Sequence, residues 1–161
     1  MSTDLDERYT LPATIEILLG LAGIKRFDLD VAACAESHWA NRWYSADSDG
    51  LAQSWLEKDR ASWVFCNCPW SSIPPWVCVA RVEIASAPSG SGIVLLLPAN
   101  RCEQPWWQDF VEPYRDGRGA PRILETHFLA GRTRYGSPGD PLGGLAGSPP
   151  FGSVALIWRV L

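Results

Sequence analysis

The chain has 161 residues, of which 47% are hydrophobic and 20% charged, a composition typical of a globular domain rather than a disordered segment. Five cysteines form no Cys-x-x-Cys pair and accompany only two histidines, which disfavours a zinc site and predicts reduced thiols in a cytoplasmic protein. The net charge of −4 argues against nucleic-acid binding through bulk electrostatics.

No segment predicts secretion or membrane insertion. The longest apolar run, residues 93–97, is far too short to span a bilayer. The chain does not open with a basic region followed by an apolar one, as a secretory signal would. Residues 1–8 are polar, and we expect them to be frayed.

The first predicted elements are a helix and a strand. Thr10 is a candidate N-cap and Pro12 suits the first turn, while Gly23 marks the end of the helical pattern. The strand covers residues 27–33 and carries Asp30 beside small residues. A carboxylate that accepts hydrogen bonds, with alanines that allow close approach, suits a nucleoside or amino-acid group. The glycine-rich phosphate fingerprint of dinucleotide sites is missing.

An acidic turn follows a predicted second strand over residues 43–45. It reads Asp47-Ser48-Asp49-Gly50, and two interpretations remain open. The carboxylates suit a ribose or an adenine amino group. An ordinary Asp-Gly turn leading into a helix through Trp55 explains the residues equally well.

A short buried strand predicted over residues 62–67 ends in the tetrapeptide Asn67-Cys68-Pro69-Trp70. Because Pro69 cannot continue a central strand, the tetrapeptide should lie just past the strand's carboxyl end, where open α/β sheets bind ligands. An amide, backbone carbonyls and an aromatic ring in a stiff turn suit a flat, hydrogen-bonding ring. A plain proline turn is the simpler alternative.

The second half of the chain predicts further helices and strands in alternation. The helices cover residues 75–87 and 103–114, and the strands cover 92–98, 123–129 and 154–160. A Gly- and Pro-rich stretch, 135–152, is predicted to be a mobile loop. This alternation indicates an α/β fold with a mostly parallel central sheet and helices on both faces. We expect a single domain over residues 1–161.

Residues 115–134 include five arginines but only two acidic residues. A local cluster of this kind can contact phosphates even on an acidic protein, although a solvated surface is an equally good explanation. The candidate phosphate-binding residues are Arg118, Arg122, Arg132 and Arg134.

Several motifs occur in one order along the chain: Phe27–Ala33, Asp49–Leu51, Cys66–Trp70, Leu95–Pro98, and Gly131-Arg132 with Pro150-Phe151. Together they resemble the small phage-type DNA N6-adenine methyltransferases, over roughly residues 9–159. Thr10-Leu11-Pro12 matches the opening Thr-Pro signature of that family.

The resemblance implies a Rossmann-like sheet that binds S-adenosylmethionine, with Asp30 in the aspartate position of the first motif. The implied partner is DNA, either single-stranded or a duplex with a flipped adenine, and the implied source is a phage or prophage in a bacterial host. No metal is required, and the oligomeric state is not implied. The cofactor-binding candidates are Thr10, Pro12, Asp30, Val31, Ala32, Asp47, Asp49 and Asn67.

The resemblance also implies that Asn67–Trp70 occupies the position of the catalytic tetrapeptide, usually Asn-Pro-Pro-Tyr or Asp-Pro-Pro-Tyr. Here Cys68 replaces the first proline and Trp70 the tyrosine. The Asn67 side-chain oxygen and the Cys68 backbone carbonyl would accept hydrogens from adenine N6, and Trp70 would stack on the flipped base. A Cys68 nucleophile for cytosine C5 chemistry lacks a basic or histidine partner nearby in the sequence.

Two other classes of function remain open. A similar tetrapeptide can serve methylation of a protein glutamine, or of another amino group in nucleic acid. A catalytically weak protein that keeps the fold and only binds nucleic acid is the other possibility. Because 161 residues leave little beyond the catalytic sheet, we expect a DNA methyltransferase of this size to have a short or relaxed target site.

Overall fold

The computed structural model describes residues 6–118, 122–144 and 148–161. The strands are β1 (Tyr9–Thr10), β2 (Leu29–Asp30), β3 (Arg42–Trp43), β4 (Trp63–Cys66), β5 (Gly92–Pro98), β6 (Arg122–Phe128), β7 (Tyr135–Gly136) and β8 (Ser153–Val160). The α-helices are α1 (Pro12–Ala22), α2 (Ile73–Ala85) and α3 (Pro105–Phe110), and single turns of 3-10 helix cover Gly50–Ala52, Trp70–Ser72 and Glu112–Tyr114. The predicted α/β class is confirmed.

Six strands form the central sheet in the order β3-β2-β4-β5-β8-β6, and β1 pairs with β7 in a separate antiparallel sheet. Strands β3, β2, β4 and β5 are parallel to one another. Strand β8 runs antiparallel to both β5 and β6. The sheet is therefore mixed, and the prediction of a mostly parallel sheet is correct only for the β3-β2-β4-β5 part.

The core is centred on β5 and β8, which lie side by side. Every residue of β5 is buried, and in β8 only Arg159 is partly exposed. Their sequences, GIVLLLP and SVALIWRV, are apolar on both faces, as expected for strands that are covered on both sides.

Helices cover both faces of the sheet. The Arg159 guanidinium donates to the carbonyl of Ala22, at the end of α1, over 2.9 Å. Trp158 points to the opposite face, because side chains alternate along a strand, and its ring lies 6.2 Å from that of Tyr114. Tyr114 in turn stacks with Arg81 of α2, against which α3 packs. Helix α1 therefore lies on one face, and α2 and α3 lie on the other.

Helix α1 spans the predicted residues, but the prediction that Thr10 is its N-cap is wrong. The N-cap residue is Leu11, which has no side-chain acceptor, whereas Thr10 lies in β1. Gly23 ends the helix with φ of 72°, a left-handed conformation that glycine adopts without strain.

Other predicted boundaries change for local reasons. The helix predicted over residues 103–114 is interrupted after Phe110, because Pro113 has no N–H to donate and its ring disturbs the preceding turn. The helix predicted after the acidic turn is only the 3-10 turn at Gly50–Ala52. Strand β2 is shorter than residues 27–33, although the N–H of Val31 still bonds to the carbonyl of Phe65 beyond its end.

The stretch predicted as a mobile loop, residues 135–152, begins with β7. Tyr135 in β7 is 4% exposed, and its hydroxyl lies 2.7 Å from the Ser153 hydroxyl. Residues 145–147 lie outside the described residues. The beginning of this stretch is therefore part of the packed fold.

Candidate active site

A cavity of about 330 Å³ lies at the carboxyl ends of β2 and β4. The chain leaves β2 towards β3 on one side and leaves β4 towards β5 on the other, so the cavity lies where the strand order reverses. Open α/β sheets bind ligands at this point, and the volume is in the range of small-molecule pockets. The predicted site residues that line it are Thr10, Asp30, Val31, Ala32, Asp49, Asn67 and Pro69.

The structure does not bring every predicted residue to this cavity. Pro12 lines a neighbouring cavity of about 220 Å³, and Asp47 is exposed. Cys68 and Trp70 are 2% and 6% exposed and do not line the main cavity. Because the Cys68 thiol is buried away from the cavity, the geometry argues against its use as a nucleophile.

Asp30 supplies a buried carboxylate at the end of β2. One of its oxygens accepts a hydrogen bond from the Trp39 N–H over 3.0 Å, and the other accepts a longer one from the Ala32 N–H over 3.4 Å. Burial raises the pKa of Asp30 to about 7, and the two N–H donors oppose this rise only in part. A cationic or hydroxyl-bearing ligand would supply the stabilisation that the carboxylate lacks.

The acidic turn packs tightly against β2. A Cβ on Gly50 would lie 2.2 Å from the Val31 carbonyl oxygen, so only glycine fits there without a shift of the backbone. The preceding Asp49 has φ of 50°, and its carboxylate accepts a hydrogen bond from the Leu51 N–H over 3.2 Å. This packing holds Asp49 at the cavity wall, while Asp47 stays outside it.

The side-chain amide of Asn67 is held in one orientation at the cavity. Its nitrogen donates to the Arg8 carbonyl over 2.9 Å and to the Thr10 hydroxyl over 3.0 Å. Its oxygen is buried and has no hydrogen-bond partner among the described residues. An unpaired buried carbonyl oxygen costs about 1–3 kcal/mol, which a ligand N–H group would recover.

Trp70 is packed by aromatic and cationic neighbours. Its ring meets the Tyr135 ring edge-on at 5.2 Å and lies 5.7 Å from the Phe151 ring. The Arg8 guanidinium lies 4.4 Å from its centroid. The indole N–H is buried without a partner among the described residues. The ring is therefore covered in this structure.

The segment 6–10 packs against the tetrapeptide, which the sequence did not predict. Asp6 accepts two hydrogen bonds from Ser71, one from its N–H over 3.0 Å and one from its hydroxyl over 2.5 Å. Residues 9 and 10 pair with β7. The expectation of a frayed start is thus wrong for residues 6–8, while residues 1–5 lie outside the described residues. No local pattern signals these contacts, because each joins residues far apart in the chain.

The predicted phosphate-binding arginines do not form one surface. Arg122 begins β6, at the edge of the sheet opposite the cavity, and its guanidinium donates to the carbonyls of Ile84 and Ala85 at the end of α2. Arg118, near the same edge, pairs with Glu112 over 3.4 Å. Both residues therefore lie away from the cavity, which separates them from Arg132 and Arg134, and a contact with DNA stays a prediction for them.

Arg132 and Arg134 follow the other end of β6, which runs in the same direction as β4 and β5. A seven-residue strand spans about 20 Å, so they lie far from Arg122 and on the cavity edge of the sheet. Both side chains are exposed, and Arg134 donates to the Gly143 carbonyl.

Within the part of the chain that the structure describes, no three His, Cys, Asp or Glu side chains are grouped as a metal site would require. None of the helices among these residues has the length and apolar character that crossing a bilayer requires.

The model of the DNA N-6-adenine-methyltransferase (Dam) family matches residues 5–116. This region includes the cavity residues at the ends of β2 and β4 and the whole tetrapeptide. The chain belongs to the DNA N-6-adenine-methyltransferase (Dam) family, as the motifs in its sequence predicted. Neither a curated protein nor a solved structure matches it.

Proposed function

We propose that this chain transfers a methyl group from S-adenosylmethionine to the N6 amino group of adenine in DNA. The observation that carries the proposal is the Asn67 amide. Its nitrogen is tied to the protein and its buried oxygen has no partner among the described residues, so an incoming amine would satisfy this acceptor once a local movement uncovers it. Membership of the family supplies the reaction class.

The cavity suits the cofactor by its chemistry. Carboxylates of Asp30 and Asp49 can accept hydrogen bonds from hydroxyl or ammonium groups, and the apolar residues Val31, Phe65 and Trp76 also line the cavity, which suits a flat ring. We assign Ala32 to the same site, in a Rossmann-like sheet that binds its ligand where the strand order reverses. When bound, S-adenosylmethionine supplies an electrophilic methyl group.

Asn67 would orient and activate the target amine. The lone pair of adenine N6 is delocalised into the ring, so the amine is a poor nucleophile. Acceptors at the Asn67 side-chain oxygen and at the Cys68 backbone carbonyl, which a movement of the turn would first bring to the cavity, would draw its hydrogens out of the ring plane and stabilise the positive charge that develops. An amide is not a base near neutral pH, so the proton leaves to solvent after transfer. Pro69 stiffens the turn that carries both acceptors.

Stacking of Trp70 on a flipped adenine requires a movement. One side of the ring is covered by Arg8, while Tyr135 and Phe151 pack against the rest. Arg8 would therefore leave the ring when the base arrives. Base–aromatic stacking is worth about 1–3 kcal/mol, enough to replace a cation–π contact.

The direct test is methyl transfer from labelled S-adenosylmethionine into duplex DNA, single-stranded DNA or protein. We expect label in N6-methyladenine after digestion of the DNA. Label in protein glutamine would favour the glutamine alternative. DNA binding without any transfer would favour the catalytically weak relative.

DNA would be held by Arg132 and Arg134, at the cavity edge. We propose a single domain and a short or relaxed target site. Arginines that contact phosphates position DNA without reading its bases.

Arg132→Ala or Arg134→Ala should weaken binding to every DNA sequence by a similar factor. Each should also reduce the slope of log affinity against log salt by about 1, because one phosphate contact is lost. Fluorescence anisotropy over a salt series measures both effects. Arg118→Ala removes the same charge from the opposite edge and is the matched control. Equal losses in all three variants would mean that net charge, not position, governs binding.

A further inference from the structure

The hydrogen-bond partners of the Asn67 side chain show which end of its amide is nitrogen and which is oxygen. The Arg8 carbonyl can only accept a hydrogen bond, so the atom 2.9 Å from it must be the amide nitrogen. A reversed amide would place two oxygens against each other at that distance. The contact with the Arg8 carbonyl therefore identifies the other amide atom, which has no partner among the described residues, as the side-chain oxygen.

Thr10 completes this arrangement and is itself held firmly. Its hydroxyl accepts the second hydrogen of the Asn67 amide nitrogen over 3.0 Å. Its backbone pairs with Tyr135 in β7, and its carbonyl accepts from the Trp39 indole over 3.1 Å. Thr10 is 4% exposed. The hydroxyl is therefore placed by the backbone around it and cannot easily follow a rotation of Asn67.

We propose that Thr10 is a positioning residue for the methylation reaction. Together with the Arg8 carbonyl it fixes the Asn67 amide so that the side-chain oxygen faces the target amine. This inference rests on the proposed function, since it assigns how the acceptor in that reaction is oriented. It gives segment 6–10 a part in catalysis, whereas the resemblance connected Thr10 only with the cofactor.

The arrangement also explains why this chain has asparagine at position 67. Related tetrapeptides carry either Asn or Asp at this position. An aspartate here would set a carboxylate oxygen against the Arg8 carbonyl, which has no hydrogen to offer. Asn67→Asp should therefore displace residues 8–10 as well as slow the reaction.

The experiment compares Thr10→Val, which has the same shape but no hydroxyl, with Thr10→Ser, which keeps it. At saturating S-adenosylmethionine and DNA, we expect Thr10→Val to lower the single-turnover rate about tenfold, the effect of one lost hydrogen bond. Its dissociation constant for the cofactor should stay within about twofold of the unmodified protein. Thr10→Ser should recover most of the rate.

Other outcomes would overturn the proposal. If Thr10→Val weakens cofactor binding and keeps the saturating rate, Thr10 is a cofactor contact and not a positioning residue. If it changes neither quantity, its hydroxyl has no role. Thermal melting of each variant shows whether the fold is kept.

A second measurement does not depend on activity. Hydrogen exchange of peptides that contain residues 6–10 should become faster in Asn67→Asp than in the unmodified protein, because the bond to the Arg8 carbonyl is replaced by repulsion. Unchanged exchange would overturn the proposal, even if Thr10→Val failed to fold. Absence of methyl transfer by the unmodified protein would instead count against the proposed function, while the exchange result would still report on the hydrogen bonds.

Discussion

Replacing Asn67 by alanine is expected to reduce methyl transfer by about 10²–10³-fold, the range seen when a preorganised group that stabilises transition-state charge is removed. Among the described residues that line the cavity, Asn67 is the only one with a buried side-chain oxygen that has no hydrogen-bond partner, and it belongs to the tetrapeptide. Its loss removes the acceptor that holds and polarises the amine. Single-turnover rates at saturating cofactor and DNA measure the effect.

Cofactor affinity should change little in Asn67→Ala, because the amide is assigned to the target and not to S-adenosylmethionine. Calorimetry on the same preparation tests this. Cys68→Ala is the companion variant: its side chain is buried outside the cavity, and only its backbone carbonyl is assigned a role. It should therefore remain active. An inactive Cys68→Ala beside an active Asn67→Ala would reverse the assignment and favour a thiol nucleophile.

The parts of the fold that could be predicted are those determined by residues close together in the sequence. Strand β5 reads as a run of branched apolar residues between glycine and proline, and it forms where predicted. The tetrapeptide follows a short apolar strand and contains a proline, so its place past the end of β4 follows from backbone chemistry. Asp30 was predicted within a strand over residues 27–33, and the structure places it at the end of the shorter β2 and in the same cavity as Asn67.

The parts that could not be predicted depend on contacts between distant residues. Strands β1 and β7 have two residues each, too few for a periodic pattern, and they form only because each supplies the other's hydrogen bonds. Without that pairing the sequence gives no reason for Arg8 to cover Trp70 or for Thr10 to contact Asn67. The interruption of α3 is different, since Pro113 was visible and its effect on a helix is well defined.

The direction of a strand in the sheet also cannot be predicted from the periodicity of apolar residues. The arginines between 115 and 134 look like one cluster along the chain. Because β6 lies between them and spans about 20 Å, they end on opposite edges of the sheet. The reversed direction of β8 likewise has no signature in an apolar run, which is why the sheet proved to be mixed.

The pH dependence of Asp30 gives the second large expected effect. Burial raises the pKa of Asp30 from 3.8 to about 7 in the folded protein. Between about pH 4 and pH 7 the carboxyl group is therefore mostly protonated in the folded protein and mostly ionised in the unfolded chain. The free energy of unfolding of the ligand-free protein should therefore fall as pH rises through this window, by about 4 kcal/mol at most. Chemical denaturation at several pH values measures the fall, and Asp30→Asn should remove most of it.

Cofactor binding should show the opposite trend. S-adenosylmethionine carries ammonium and sulfonium charges, which favour the ionised carboxylate, so its affinity should rise between pH 6 and pH 8 as Asp30 loses its proton. Asp30→Asn should bind about tenfold more weakly than the unmodified protein at pH 8 but only slightly more weakly at pH 6, with a flat profile between. Asp47→Asn, an exposed aspartate outside the cavity, is the control and should follow the unmodified protein. Equal affinities for Asp30→Asn and the unmodified protein at pH 8 would remove Asp30 from the cofactor site, and the raised pKa would then reflect burial alone.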